Sequence, residues 1–261
     1  MNRIDGIDWN ATLAAIWRPR RGYLRPVLHV DPVRLDQLVG IETQKAALTR
    51  NTERFLSGLP ANNALLWGAR GTGKSSLIKA LLNGYRQCGL RLIQVDKNDL
   101  VELPEIVDGI RDLPQRFIVF CDDLSFEAGE PGYKALKSVL EGSVELPPDN
   151  VRVYATSNRR HLLPEYLEDN RGAKRIGDEI HMPEVVEEKI SLSDRFGLWL
   201  SFYAVDQDEY LAIVDSYFPQ YRGDRDELHR AAKQFALARG GRSGRVAKQF
   251  HNEFLEPGDK R

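Results

Sequence analysis

The run Gly68-Ala69-Arg70-Gly71-Thr72-Gly73-Lys74-Ser75 constrains the fold of this chain more than any other stretch. It follows the apolar segment Leu65-Leu66-Trp67 and precedes Leu77, Ile78, Leu81 and Leu82, which recur at helical spacing until Asn83 and Gly84. A strand that passes through a glycine-rich turn into a helix presents inward-facing N–H groups and the positive end of a helix dipole at one point, which suits phosphate. The run is a full match to the phosphate-loop pattern Gly-x-x-x-x-Gly-Lys-Ser/Thr. On this reading Gly68 to Ser75, with Ser76 next on the helix, cradle the phosphates of ATP. Lys74 reaches the β- and γ-phosphates and the Ser75 hydroxyl ligates Mg²⁺. An ordinary glycine-rich turn is the alternative, and the flanking strand and helix speak against it.

A second strand supplies the acidic half that such a site requires. Phe117-Ile118-Val119-Phe120-Cys121 is a continuous apolar run that ends in Asp122-Asp123. In a parallel sheet the carboxyl ends of the strands gather on one edge, so these acids belong beside the phosphate loop. Asp122 is expected to hold Mg²⁺ through its water shell, and Asp123 to polarise the attacking water. The competing role for two acids at a strand end is to cap the next helix.

From Leu38 onward helical stretches alternate with short apolar runs, the pattern of an α/β fold with a largely parallel sheet. Five strands are expected: Ala64 to Trp67, Arg91 to Val95, Phe117 to Cys121, Val151 to Ala155 and Leu198 to Tyr203. After Tyr203 the chain reads as helical. Asp206 and Glu209 form a capping-box pattern opening a helix to about Tyr217. A second helix runs from Asp224 to Ala238 and stops at Gly240 and Gly241. A third starts near Ser243. The expected organisation is therefore a lead-in over 1–35, an α/β nucleotide-binding domain over 36–204 and a helical lid over 205–261.

The 261 residues suffice for a core without disulfides, and a formal net charge of −1 gives no global field to attract nucleic acid or anionic lipid. Cys88 and Cys121 lie far apart, as free thiols in a reducing compartment would, and Cys121 reads as a small buried hydrophobe. Asp5, Asp8 and Arg18 interrupt the apolar residues at the N-terminus, so no signal peptide or membrane span is expected there, and the location expected is cytoplasmic. The lead-in carries Arg18, Arg20, Arg21 and Arg25 with Trp17 and Tyr23 among them. That composition fits either an arm packed on the core or a grip on phosphates and bases.

Taken with later motifs, these residues resemble the AAA+ superfamily. The strand Val151 to Ala155 leads into Thr156-Ser157-Asn158, where AAA+ proteins carry a polar sensor between metal and γ-phosphate. Asn158 fits that place, and also fits a turn at a strand end. Leu192-Ser193-Asp194-Arg195-Phe196-Gly197 looks like the arginine-finger segment of AAA+ rings, particularly that of the Holliday-junction branch-migration motor. The resemblance implies a homo-oligomer in which Arg195 acts in trans on a neighbour's γ-phosphate; on position alone, Arg195 would pair with Asp194 or Glu188. Gly241-Arg242-Ser243-Gly244-Arg245 opens the last helix, where the superfamily places a second sensor arginine. Arg245 matches best, with Arg242 behind it. Leu38-Val39-Gly40-Ile41 is similar to the adenine-contacting segment, which gives Val39 and Ile41 to the base. The wording of Asn158 to Leu162, Leu192 to Leu200 and Ser243 to Phe250 is most similar to a family of small stand-alone bacterial AAA+ ATPases of unassigned cellular role.

One departure matters. Where most AAA+ proteins carry Glu after the metal-binding Asp, this chain has Asp123, and a carboxylate displaced by about 1 Å can lose on the order of a hundredfold in rate. The leading expectation is an oligomeric AAA+ ATPase that uses ATP and Mg²⁺ to do conformational work on a protein or nucleic-acid client, with no membrane role. A slow-hydrolysing switch or loader is the second reading, and a small-molecule kinase the third. The polar connection from Asn158 to Ser191, with Arg159, Arg160, His161, Arg171, Lys174 and Arg175 in its first half, fits a solvated loop and an anion-binding surface equally.

Overall fold

The computed structural model describes residues 6–126, 130–142, 145–160, 162, 174–176, 179–181 and 194–254. The connection that carries His161 and Arg171, and the turns leading up to Arg195, lie outside the described residues.

All five expected strands are present. They are β3 (Ala64–Gly68), β4 (Leu90–Gln94), β5 (Arg116–Cys121), β6 (Val151–Ser157) and β9 (Leu198–Phe202). They pair in parallel as β4-β5-β6-β3-β9, which puts the strand of the phosphate loop between β6 and β9. Side chains alternate across the sheet with the period of two that a pleated strand imposes. From β5, Phe117, Val119 and Cys121 enter one apolar cluster with α3 (Leu103–Asp108) and α4 (Pro131–Glu141). Ile118 and Phe120 enter the other, with α1 (Glu42–Leu56) and α2 (Lys74–Tyr85). Burial on both faces is why these strands read as continuous apolar runs.

The sheet is wider than the sequence suggests, with seven strands in place of five. Residues of the lead-in form a hairpin of β1 (Ala14–Arg18) and β2 (Tyr23–Pro26), and β1 adds to β4 in parallel. Trp9, Trp17 and Leu24 are buried in the first cluster, and Trp9 meets Phe117 edge to face at 4.9 Å. Trp17 is thus a core residue and does not present its ring for stacking on a base, whereas Arg18, Arg20 and Arg21 are exposed. A short pair, β7 (Lys174–Ile176) and β8 (Glu179–His181), lies within what reads in sequence as one long polar connection.

The C-terminal helices are α5 (Gln207–Tyr217), α6 (Arg225–Ala238) and α7 (Gly244–Phe254). Asp206 caps α5 reciprocally: its carboxylate accepts from Glu209 N at 2.8 Å while Glu209 accepts from Asp206 N at 2.9 Å. The three helices enclose a cluster of their own around Tyr210, Val214, Phe218, Leu228 and Phe250. No helix among the described residues is long and apolar enough to cross a membrane.

Candidate functional site

The phosphate loop leaves β3 through a contact that only glycine permits. Gly68 has φ +128, and a Cβ there would lie 1.9 Å from Phe202 O on β9. That close approach lets Ala69 N donate to Phe202 O at 2.9 Å, tying the first residue of the loop to the neighbouring strand. At the loop's far side Gly71, with φ +74, abuts Ser243, and its carbonyl accepts from Gly244 N at 2.9 Å. The first turn of α7 is thereby bonded directly to the phosphate loop.

Around this loop opens a cleft of about 1030 Å³ lined by Arg70 to Ser76, Asp122, Asp123, Thr156 and Asn158. Lys74 is buried, and its ammonium donates to Gly68 O at 2.8 Å, to Ala69 O at 2.7 Å and to Asn158 Oδ1 at 3.4 Å. Burial pulls its pKa below the ordinary lysine value; the nearby charges of Asp123 and Asp122 oppose that, while Arg70 and Arg245 reinforce it.

The acids are held by a residue that motif matching passes over. Asp122 Oδ1 accepts from Ser75 Oγ at 2.6 Å and from Thr156 Oγ1 at 2.6 Å, and the same Thr156 oxygen accepts from Asp123 N at 2.9 Å. Thr156 fixes both acids through one hydroxyl at the end of β6. Its position in Thr156-Ser157-Asn158 was the available signal, but attention falls on the amide beside it. Ser75 and Asp122 present hard oxygens within hydrogen-bonding distance of one another, a donor pair that fits Mg²⁺. No group of three or more acidic, Cys or His ligands stands among the described residues.

Asp123 is the one non-glycine residue with positive φ among those described, at +52. Its carboxylate accepts from Asn158 Nδ2. Asn158 therefore bridges an acceptor and a donor, its Nδ2 facing Asp123 and its Oδ1 facing the Lys74 ammonium.

Val39 and Ile41 both line the cleft, and they belong to different cores. Ile41 packs in the α1–α2 cluster and Val39 against the α5–α7 cluster. The cleft also takes Asp31 to Arg34 from the lead-in, Gln37 just after it, Ile213 and Tyr217 from α5, and Lys248 from α7, none of which the sequence singled out. The lead-in segment is pinned to α2: Asn83 Nδ2 donates to Asp31 O and Val33 O, each at 2.7 Å, and Lys79 pairs with Asp31 at 3.3 Å. Burial raises the Tyr217 pKa, and the Asp31 charge adds to it.

Arg245, in the first turn of α7, lines the cleft, and Arg242, just before the helix, does not. Arg195 lies outside the cleft of its own chain. It pairs with Glu141, the last residue of α4, and not with its neighbour Asp194.

The family described as "Protein of unknown function (DUF815)" matches residues 10–257, and the chain belongs to that family. No curated protein matches it. Among solved structures, Aeropyrum pernix Orc1 in complex with DNA is 17% identical with a TM-score of 0.57, over 84% of this chain and 62% of that one. The Thermotoga maritima RuvB Holliday junction branch migration motor is 13% identical with a TM-score of 0.47, over 86% and 72%. The fold is that of the AAA+ ATPases.

Proposed function

We propose that this DUF815 member binds ATP with Mg²⁺ in the cleft between the α/β domain (36–204) and the helical lid (205–261), and hydrolyses it at a site completed by a neighbouring subunit. The observation that carries the reading is the bonded cluster of Ser75, Asp122, Thr156, Asp123, Asn158 and Lys74 at the carboxyl edge of the sheet. Mg²⁺, when bound, neutralises charge on the phosphates and orients them for in-line attack.

The chain's own groups supply the rest. The loop N–H groups and Lys74 grip the β- and γ-phosphates, Ser75 and Asp122 turn their oxygens to the metal, and Asp123 accepts the hydrogen bond of the attacking water. Asn158 holds Asp123 and Lys74 in mutual register. Val39 and Ile41 flank the base, and Tyr217 of α5 lines the same cleft. Arg245 reaches the phosphates from the lid, so a change in the phosphates acts on the angle between lid and sheet. Arg195, which does not line its own cleft, offsets transition-state charge in a neighbour's site, a role that can supply about 10³–10⁵ in rate.

This reading places the protein with soluble, oligomeric AAA+ ATPases that work on a protein or nucleic-acid client. The structure solved with Orc1 contains DNA, which makes a nucleic acid the first client to try. The second reading is a slow switch or loader, and it rests on the short Asp123 side chain. Steady-state hydrolysis against protein concentration, for wild type and Arg195→Ala together, tests the proposal. Specific activity should climb with concentration and collapse in the mutant while ADP affinity stays within a few fold. Activity that ignores both variables would reject the shared site, and tight ATP retention with near-zero turnover would select the switch.

A further inference from the structure

At the opposite edge of the sheet, where the strands begin, a second cavity of about 700 Å³ opens between α1 and the loop that precedes β3. Four arginines line it: Arg50 and Arg54 on α1, Arg116 at the start of β5 and Arg152 in β6. Asp149 is the single carboxylate in the lining. Among the described residues none of the four forms an ion pair.

The walls are braced. Asn51 Nδ2 donates to Asn62 O at 2.8 Å while Asn62 N donates back to Asn51 Oδ1 at 3.0 Å, which fixes the loop to α1. Arg54 Nε donates to Pro60 O and Arg152 Nε to Ala61 O, each at 2.9 Å. Arg116 and Arg152 both lie over the buried Phe55 ring, 5.5 and 5.2 Å from its centroid. Arg116 Nη1 donates to Asp149 O at 2.7 Å, and Arg152 Nη1 to Val151 O at 2.6 Å and Pro148 O at 3.3 Å; both terminal nitrogens of Arg54 and the Nη2 atoms of Arg116 and Arg152 have no protein acceptor among the described residues. The Arg50 side chain makes no hydrogen bond among the described residues.

The face of Phe55 attracts the two guanidinium groups over it, but four like charges around one cavity still repel one another unless something negative joins them. The Arg152 pKa is lowered, first by burial, and the charge of Arg116 lowers it further against the opposing pull of Asp149. Guanidinium groups with free paired N–H donors match phosphate oxygens in geometry as well as charge. A volume of this size falls within the range of small-molecule sites. The net charge of −1 gives no global field to draw a long polyanion to this cavity.

We propose that this cavity is a second anion site, for a small phosphate-bearing ligand of the pyrophosphate or polyphosphate class. It is separate from the nucleotide cleft, because β3 runs between the two, and its five residues span roughly 15 Å.

Calorimetric titration of the full chain with inorganic pyrophosphate tests this. Two sites per chain are expected, one displaced by ADP and one not. Arg50→Gln/Arg54→Gln should weaken the ADP-resistant site by at least about tenfold, with ADP affinity unchanged as the sign of an intact fold. Arg50→Gln alone, which disturbs no bracing bond, should weaken it in the same direction. A single, ADP-displaceable site in wild type would overturn the proposal, as would an ADP-resistant site indifferent to both variants. A short single-stranded oligonucleotide that displaced pyrophosphate from the ADP-resistant site would assign those phosphates to a nucleic-acid backbone and overturn the small-ligand class.

Discussion

Asp123 combines a demanding backbone with a short reach. A left-handed conformation costs an ordinary residue about 1–2 kcal/mol, less for Asp and Asn, whose side chains bond locally. Here Thr156 fixes its amide and Asn158 its carboxylate. Asparagine tolerates the same φ and keeps the size, so Asp123→Asn isolates the charge. Turnover should fall by about 10²–10⁴ if this carboxylate activates water, while ADP affinity changes little. Undiminished hydrolysis in steady-state assays would move water activation to another group. The two cysteines give a second test at this scale. Burial, with Asp122 and Asp96 adding to it, pushes the Cys121 thiol up to about 12, whereas Cys88 is exposed. At about pH 8 only about one Cys121 in ten thousand is a thiolate. Iodoacetamide followed by mass spectrometry should therefore modify Cys88 in the native protein and Cys121 only after denaturation; rapid native labelling of Cys121 would mean that β5 opens locally.

What the sequence makes legible at the level of elements follows from how local the determining chemistry is. The helix α5 can be placed to the residue because Asp206 and Glu209 satisfy each other's amides three positions apart, and α6 because Asp224 caps it and Gly240 ends it. The hairpin of β1 and β2 is not legible. Its strands are short and carry arginines, and β1 finds its parallel partner in β4, far along the chain. Thr156 and the Asp31–Gln37 segment escape for the same reason, since their roles arise only when distant strands and α2 are brought together. The hairpin's attachment has a measurable size. Trp17 is 5% exposed, and its indole Nε1 has no hydrogen-bond partner among the described residues. Trp17→Ala should cost about 3–5 kcal/mol in denaturant unfolding. Trp17→Phe removes the orphaned donor along with part of the ring and should cost less than about 1.5 kcal/mol. Equal losses for both would show that the indole nitrogen, and not the ring's bulk, anchors the hairpin.

Across the whole molecule the decisive relation is between Arg195 and a cleft it does not enter. Both Lys74 and Arg195 are required on the proposed mechanism, but they serve different sites: Lys74 grips the nucleotide of its own chain, and Arg195 stabilises charge on its neighbour's. A chain with Lys74→Ala cannot hold ATP productively yet retains its finger, and a chain with Arg195→Ala retains a complete cleft yet offers no finger. Each variant alone should be nearly inactive. Mixed in equal amounts and allowed to exchange subunits, they create interfaces at which an intact cleft faces an intact Arg195. Random assembly makes about a quarter of all interfaces of that kind, so hydrolysis should recover to about a quarter of the wild-type rate. If Arg195 acted within its own chain, every subunit in the mixture would still lack one essential group, and mixing would restore nothing. The Glu141 pair supplies the control: Glu141→Gln removes that ion pair without touching the cleft, so complementation should stay in place if the pair only parks Arg195.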